Sequence, residues 1–368
     1  MSPAPKKHFT KKHILFFAQG ITIVVAGVLS VYLISNAAPL HYTASKNSTA
    51  TTTAPSATTA VSLQPLDIAL YNEKMLALAN YPKTAGTSSA SSSVPHLWPV
   101  KTVYPNAGAL LPFHRIVAYY GNFYSKQMGV LGAYPPQQML QMLQQAAAQW
   151  QAADPNTPVI PALDYIAVTA QGSAGPDGKY RARMPASQIE EAITLANQVH
   201  GLVFLDVQVG LSNLQTELPL LEPYLKLPQV ELSIDPEFSM KDGTPPGKEI
   251  GTFNASDINY AANLLASIVR QNNLPPKILV VHRFTEDMVT GYKQITPLPE
   301  VQIVMDMDGW GYPEKKIHTY KSVIASEPVQ FTGFKLFYKA DLRPPSTRLL
   351  TPAEVLSLQP QPIYIQYQ

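Results

Sequence analysis

Eight apolar runs, separated by longer segments with helical periodicity, fill the chain from residue 115 to residue 367 and restrict its fold more than any other feature. Short runs rich in Val, Ile and Tyr are typical of buried strands. The predicted strands are Arg115 to Gly121, Val159 to Thr169, Leu202 to Val209, Val230 to Asp235, Ile278 to Arg283, Val301 to Asp308, Phe334 to Tyr338 and Pro362 to Tyr367. The predicted helices between them are Pro136 to Ala153, Pro185 to Val199, Ser212 to Leu225, Asn254 to Gln271, Glu286 to Ile295, Pro313 to Ile324 and Pro352 to Leu358.

A strand, a helix and a second strand make the unit of a parallel sheet, because parallel strands need a crossover of a dozen or more residues. Eight strands and seven helices in about 255 residues predict an α/β protein of the (β/α)8, or TIM-barrel, class. The alternative is a doubly wound open sheet, which normally carries a glycine-rich first turn. The first turn here, Tyr120-Gly121-Asn122-Phe123, lacks that fingerprint.

An uncharged apolar stretch, residues 14–35, lies close to the start of the chain. At about 1.5 Å per residue, a helix of this length spans the roughly 30 Å hydrocarbon core of a bilayer. Four lysines precede it and no charge follows until Lys46, which places the N-terminus in the cytoplasm. We expect a single-pass transmembrane anchor in the cell membrane with the rest of the chain extracytoplasmic. The small residues in Ser35-Asn36-Ala37 leave open a cleaved signal and a secreted protein.

Composition divides the chain into a basic cytoplasmic tail (1–13), the anchor (14–35), a Ser/Thr/Ala-rich stalk (36–93) and a barrel domain (94–368). The stalk has few bulky apolar side chains, so we expect it to be flexible and disordered apart from a short amphipathic helix, Leu66 to Asn80. The Tyr- and Pro-rich segment Val94 to Phe113 is expected to pack across the bottom or an edge of the barrel.

Charge and cysteine content exclude several classes of function. The formal net charge is +2 and the four lysines of the tail contribute +4, which leaves about −2 for the remainder. Without a basic stripe, no nucleic-acid partner is expected. The chain has no Cys, which excludes disulfides, thiolate catalysis and cysteine zinc sites. No cofactor is predicted.

Acidic side chains end several of the predicted strands. In residues 230–237, alternation places Ser233, Asp235 and Glu237 on one face and the apolar side chains on the other. The outer face of a barrel packs on helices, so the polar face points inward at the C-terminal ends of the strands, where barrel enzymes have their active sites. The same alternation predicts that further polar side chains point inward: Asp164, Asp206, Gln208, His282, Asp306, Asp308 and Lys335.

Acids gathered at one end of a barrel repel one another and are costly to bury, so function is the expected reason for them. Paired carboxyls suit glycoside cleavage, in which one protonates the leaving oxygen and the other, roughly 5 to 9 Å away, is nucleophile or base. Asp206 and Asp235 end adjacent strands, about 4.8 Å apart. We predict Asp235 or Glu237 as general acid and Asp206 as nucleophile or base, with Asp306 and His282 tuning their pKa values. The predicted substrate-binding residues are Asp164, Gln208, His282, Asp308 and Lys335, with Tyr119, Tyr120, Trp310 and Tyr338 as rings that can stack on a sugar.

Three alternatives stay open. The acids could be structural, capping helices or pairing with basic neighbours. The barrel could bind a glycan or another envelope ligand without cleaving it. It could also hold a divalent cation between Asp, Glu and His side chains, but no His-x-His or His-x-x-x-His pair supports a metal site. A serine nucleophile is disfavoured because the chain has no Gly-x-Ser-x-Gly elbow.

Four motifs carry a resemblance to a known family: LDVQVG (205–210), IDPEF (234–238), VVHRF (280–284) and DMDGWG (306–311). Together they resemble uncharacterised bacterial envelope proteins with a glycoside-hydrolase-like barrel, over residues 114–368. That resemblance implies the fold and no established reaction. Chitinase-type barrels are more distantly similar, but Gln208 and Gly210 stand where their Asp-x-Asp-x-Glu signature has its second Asp and its Glu, which argues against substrate-assisted catalysis.

Overall fold

The computed structural model describes residues 63–81 and 96–368. Its centre is a ring of eight parallel strands, all close to their predicted positions. In chain order they are β1 (Arg115–Gly121), β2 (Val159–Ala170), β3 (Leu202–Val207), β4 (Val230–Ile234), β5 (Lys277–Arg283), β6 (Val301–Met307), β7 (Phe331–Leu336) and β8 (Tyr364–Tyr367). The largest difference is in β7, which begins at Phe331 and not at Phe334.

The ring is closed. Strand β1 pairs in parallel with β2 on one side and with β8 on the other, and the order around the ring follows the order in the chain. A closed parallel ring excludes the doubly wound open sheet that the sequence left possible. The (β/α)8 class predicted from the alternation of strands and helices is therefore confirmed.

Helices cover the outside of the ring. They are α1 (Ile68–Ala79), α2 (Pro136–Ala153), α3 (Ala186–Gln198), α4 (Ala255–Asn272), α5 (Pro313–Thr319) and α6 (Pro352–Leu356), with a shorter helix at Val130–Ala133 and a π-helical continuation of α5 at Tyr320–Ala325. Helix α4 begins at a capping box, in which the Asn254 side chain accepts from the backbone N–H of Asp257 and the Asp257 carboxylate accepts from that of Asn254. A first-turn proline begins α2, α5 and α6.

The helix predicted over residues 212–225 is interrupted. The segment folds as Leu214–Glu217, a 3-10 turn at Leu218–Leu221 and Glu222–Leu225. Pro219 and Pro223 cause the breaks because proline has no N–H to donate along a helix.

The helix predicted over residues 286–295 is wrong. Its place is taken by 3-10 turns at Glu286–Met288 and Tyr292–Gln294 on either side of a short strand, Val289–Thr290, which pairs with Phe253–Asn254. Arg283 donates to the carbonyl oxygens of Glu286 and Val289, which a helix would need for its own backbone hydrogen bonds. Gly291, with a φ of 70°, adds a left-handed residue that ends helical geometry.

The N-terminal end of the ring is closed by chain that precedes β1, as predicted for residues 94–113. Gln302 of β6 accepts from the N–H groups of Leu110 and Leu111, both at 3.1 Å, and donates to Leu111 O at 2.6 Å. Helix α1 lies across the same end, where Tyr71 and Met75 join the inner apolar cluster. A short helix at residues 66–80 was predicted, and the structure confirms it.

Most of the residues on which the membrane predictions rest lie outside the described part of the chain. Within residues 63–81 and 96–368, no helix combines the length and the apolar character needed to cross a bilayer. The predicted tail and anchor lie outside the described residues, and of the stalk only residues 63–81 are described.

The inside of the ring has two layers. The layer nearer the closed end is apolar, and its members include Ile116, Ala118, Phe204, Val280 and Val304. Toward the carboxyl ends of the strands the inward side chains become polar. The fold thus carries its polar groups at the end where barrel enzymes bind substrates.

Candidate active site

A set of polar side chains fills the carboxyl end of the ring, and we call it the acid cluster. Alternation along the strands explains it, since every second residue of each strand faces the interior. The prediction that these side chains converge is confirmed by their contacts. The members are Tyr120, Asp164, Asp206, Gln208, Asp235, Glu237, His282, Asp306, Asp308 and Lys335.

Asp164 accepts three hydrogen bonds on one carboxyl oxygen, while its other oxygen, Oδ1, is buried without a partner among the described residues. Its Oδ2 accepts from Ser233 Oγ at 2.9 Å, from Tyr364 Oη at 2.7 Å and from Gln366 Nε2 at 2.7 Å, and the residue has no exposed surface. Burial raises the pKa of this carboxyl, opposed first by the nearby His282. With three donors on one oxygen and no access from outside, Asp164 holds the base of the cluster together.

Asp206 lies beneath Tyr120. The Tyr120 hydroxyl donates to Asp206 Oδ2 at 3.0 Å and accepts from Gln208 Nε2, also at 3.0 Å. Burial, and then the charges of Asp164 and Asp235, raise the pKa of Asp206 well above its ordinary value. A protonated carboxyl covered by a phenol is poorly placed to attack a substrate, so contact with Asp206 would require Tyr120 to move.

Asp235 and Glu237 lie next to each other at the open end. Asp235 Oδ1 accepts from the N–H of Glu237 at 3.1 Å, and Gln208 Nε2 lies 3.5 Å from Asp235 Oδ2. Burial, and then the charge of Asp308, raise the pKa of Asp235 to about 7. Burial, and then the charge of Asp235, raise the pKa of the half-buried Glu237 well above its ordinary value. Asp235 is thus suited to give a proton near neutral pH, and the pKa of Glu237 is shifted in the same direction.

Three consecutive contacts of 3.0, 3.0 and 3.5 Å link Asp206 to Asp235 through Tyr120 and Gln208. The two carboxyls are therefore no farther apart than the widest separation of inverting glycoside hydrolases, about 9.5 Å. The predicted spacing of this pair is compatible with the structure.

His282 stands at the centre of the cluster. Its Nδ1 lies 3.2 Å from Asp306 Oδ2 and 3.6 Å from Asp308 Oδ2, and its Nε2 lies 3.9 Å from Asp206 Oδ1. Burial lowers the pKa of His282 to about 4, so the ring is neutral at physiological pH, and burial raises the pKa of Asp306 to about 7. A neutral imidazole and a protonated carboxyl can share one hydrogen bond without burying a net charge.

Lys335 supplies the positive charge of the cluster. Its Nζ lies 3.1 Å from both oxygens of Asp308 and 3.8 Å from the centroid of the Tyr120 ring. Lys335 is buried, whereas the Asp308 side chain keeps 9% of its surface exposed. Asp308 is thus an ion-paired carboxylate at the edge of the open end.

Two of the four aromatic residues predicted to bind substrate, Tyr119 and Tyr338, point away from the interior of the ring. Tyr119 packs on the helix-facing side of the ring, where its Oη lies 2.9 Å from Tyr338 Oη, and Tyr338 stacks on Tyr367. The reason is the period of two along β1, which turns Tyr119 outward because Tyr120 points inward. Tyr120 does reach the cluster, through Asp206 and Gln208.

Trp310 lies at the open end, but cations approach its ring. Lys315 Nζ is 4.8 Å and the Arg343 guanidinium carbon 5.2 Å from the centroid of the indole. The ring is therefore not a bare platform for a neutral sugar.

Sequence reasoning missed residues that support the cluster. Tyr364 and Gln366 hold Asp164, and both could have been found from the polar side of alternation in β8. Gly333 makes room for Asp306, since a Cβ there would lie 2.4 Å from Asp306 Oδ1. A glycine inside a strand is a signal of such close approach. Asp341, which accepts from Lys316 Nζ and from Gly311 N, fixes the loop that carries Trp310, and no sequence signal marked it.

Within the described residues, no group of three or more His, Asp or Glu side chains has the spacing of a metal site. Hydrogen bonds and the Lys335–Asp308 ion pair join the members of the acid cluster. Chemically it offers proton donors, Asp235 and Glu237, beside an ion-paired carboxylate, Asp308, at an end of the barrel that partly admits solvent.

No protein-family model and no curated protein matches the chain. Among solved structures, the chain is similar to a hyperthermophilic endo-β-1,4-glucanase in complex with substrate, with 8% identity, a TM-score of 0.38 and coverage of 70% of this chain and 89% of that one. For the endoglucanase Cel5A of Thermotoga maritima these values are 10%, 0.40, 68% and 88%. For a GH18 chitinase from Pseudoalteromonas aurantia they are 13%, 0.27, 68% and 78%.

These likenesses are in line with the remote similarity to glycoside-hydrolase and chitinase-type barrels expected from the sequence. At such identities and TM-scores they carry no argument about the reaction, and the barrel itself rests on its strand pairing. The resemblance to bacterial envelope proteins stays a prediction.

Proposed function

We propose that this barrel is a glycoside hydrolase that cleaves a cell-envelope or extracellular polysaccharide by carboxylate acid/base chemistry. One observation carries the proposal: three carboxyls at the open end occupy two opposed environments. Burial raises the pKa of Asp235 and Glu237, whereas Asp308 is paired with Lys335. A protonated acid beside a carboxylate is the arrangement that glycoside cleavage requires.

The roles follow from access and charge. Glu237, half-buried at the rim, is the general acid that protonates the leaving oxygen, because burial, and then the charge of Asp235, raise its pKa. Asp308 is the nucleophile or the base that activates water. This assignment differs from the one made on sequence, which gave that role to Asp206, because Asp206 lies under Tyr120. Asp206 instead orients Tyr120, whose ring contacts Lys335.

The test is hydrolysis by the full-length chain. Release of reducing ends is measured on a panel of soluble glucans, chitin oligomers and bacterial wall polysaccharides, for the wild type, Glu237→Gln, Asp308→Asn and Asp235→Asn. General acid/base groups contribute about 10²- to 10⁴-fold in rate, so we expect Glu237→Gln and Asp308→Asn each to reduce kcat by at least about 100-fold. Asp235→Asn removes only the charge beside Glu237 and should reduce kcat by less. Asp287→Asn, an exposed acid of the loop after β5, is the matched control and should keep the wild-type rate.

Equal rates for the wild type and the three variants on a cleaved glycan would remove the proposal. A different outcome is binding of a glycan, seen by calorimetry, with no turnover by the wild type. That result would favour a non-catalytic binding barrel, for which the full burial of Asp164, Asp206 and Asp306 is the supporting observation. Turnover that chelation abolishes and a divalent cation restores would favour the metal-assisted alternative.

We also propose that the barrel works outside the cytoplasm, at the cell membrane. The support is the sequence of residues 14–35 with four lysines before it. A protein so placed meets wall and extracellular polymers and not cytoplasmic sugars.

A further inference from the structure

Arg343 differs from the other arginines of the described chain. Within residues 63–81 and 96–368, six of the seven arginines form an ion pair with a carboxylate, and Arg343 does not. This half-buried residue has no side-chain hydrogen bond in this part of the chain, and its guanidinium carbon lies 5.2 Å from the centroid of the Trp310 ring. Five N–H donors are therefore available at this position.

A second cation lies beside it. Lys315 Nζ is 4.8 Å from the centroid of the same indole and donates to Trp310 O at 3.1 Å. No carboxylate of the described residues lies within ion-pair distance of this ammonium group, although the neighbouring Lys316 is paired with Asp341 at 2.7 Å. Two cations without a carboxylate partner thus share one aromatic ring.

The position of this group relates it to the acid cluster. Trp310 follows Asp308 by two residues, so their Cα atoms are at most about 7 Å apart. Arg343 belongs to the loop that follows β7, the strand that carries Lys335. The first turn of α5, which follows β6, and the loop after β7 therefore bring the two cations to the side of the open end where Asp308 and Lys335 lie.

We propose that Arg343 and Lys315, positioned by Trp310, form a subsite for an anionic sugar unit, so that the substrate is a glycan bearing carboxylate or phosphate groups. The inference rests on the proposed function in that a polysaccharide is the substrate. The guanidinium fork binds either oxyanion through two parallel hydrogen bonds, and the ammonium group adds a point charge. The indole that both cations approach holds them in place by cation–π attraction.

Binding measured without turnover tests the subsite. Full-length Glu237→Gln protein, which cannot give the proton, is titrated calorimetrically at low salt with three probes: trigalacturonate, a glycerol-phosphate oligomer and neutral cellotriose. Whichever anionic probe binds more tightly identifies the source of the charge as a uronic acid or a phosphate. We expect that binding to weaken as salt is added, because exposed charges are screened.

Substitutions then identify which side chains bind the anionic group of the probe. In the same background, Arg343→Gln and Lys315→Gln should each weaken binding of the anionic probe by roughly tenfold or more, the usual loss for a hydrogen bond to a charged group, and leave cellotriose unchanged. Arg348→Gln is the matched control, since this arginine lies in the same loop but is paired with Glu354. It should bind all probes as the parent does.

The subsite is overturned if neither anionic probe binds more tightly than cellotriose, or if Arg343→Gln and Lys315→Gln bind them as well as Arg348→Gln does. This failure is distinguishable from failure of the hydrolase proposal. Selective anion binding with no turnover by the wild type would keep the subsite and remove the hydrolase, whereas cleavage of neutral glycans alone would do the reverse.

Discussion

Asp306 is a carboxyl with no exposed surface, 3.2 Å from a histidine that burial keeps neutral. Burial raises its pKa from 3.8 to about 7, so the folded protein keeps a proton that the unfolded chain releases. The stability from this proton is fully present below about pH 4 and is lost as the pH rises to about 7. His282 has the opposite sign. Its pKa is lowered to about 4, so its contribution is present above its ordinary pKa of 6.5 and is lost as the pH falls toward 4.

Replacing Asp306 by Asn should flatten the pH dependence of stability. Between pH 5 and pH 8 the titration of Asp306 costs the wild type on the order of 3 kcal/mol, and an amide that can donate to the same imidazole avoids that cost. The free energy of unfolding, from urea titrations at both pH values, should therefore fall less in Asp306→Asn than in the wild type. Asp287→Asn should keep the wild-type slope. An unchanged slope in Asp306→Asn would contradict the assignment.

The side of the ring on which a residue lies could be predicted from the sequence where alternation along the strand alone determines it. Period-two alternation was sufficient to place Asp206, Asp235 and Asp306 inside the ring. It also excludes having Tyr119 and Tyr120 on the same side, a constraint that the sequence-based assignment of both to substrate did not respect. The pairing of Lys335 with Asp308 was not accessible, because it depends on the relative height of side chains on neighbouring strands.

Helix α1 contributes to the fold by covering the closed end of the ring. It carries few charges and packs one side onto the closed end of the ring, with Met75 7% exposed and the adjacent Leu76 64% exposed. Asn80 beyond its end donates to the carbonyl oxygens of Leu356 and Leu358. Apolar residues also lie on the exposed face, including Ile68 and Leu76, so the sequence pattern predicts the helix but not which of its faces is covered.

Met75 and Leu76 therefore allow a buried and an exposed side chain of the same helix to be compared. Met75→Ala should lower the free energy of unfolding by about 2 to 5 kcal/mol, since it leaves a cavity under the ring. Leu76→Ala removes a side chain that is already in water and should change stability by no more than about 0.5 kcal/mol. Chemical denaturation of both variants measures the difference. Equal effects would show that α1 does not cover the barrel in solution.

Elements were predictable where apolar periodicity was long, as in α2, whose bounds match the prediction. Elements were not predictable where a side chain binds the backbone carbonyl groups that a helix would need. In residues 286–295, buried Arg283 binds the carbonyl oxygens of Glu286 and Val289, which a helix would need. Gly291 was a local signal against a helix, whereas the direction of the Arg283 side chain could not be predicted from the sequence.

The whole molecule combines a (β/α)8 barrel with an N-terminal apolar sequence, and the proposed location at the membrane can be tested in cells. In cells, the full chain should sediment with membranes, and deletion of residues 1–35 should move it to the soluble fraction. Immunoblotting of fractions, with protease accessibility in spheroplasts, measures both location and side. A full chain that remains soluble and is shielded inside intact spheroplasts would contradict the proposed location.

The place where the described chain begins has a geometric consequence. Gln64 accepts from the N–H of Gly108 on the closed end, directly beside α1. The chain therefore enters the described domain at the end of the ring opposite to Glu237 and Arg343. If residues 14–35 anchor the chain as proposed, the attachment reaches the domain at its closed end and leaves the opposite end clear for polymeric ligands.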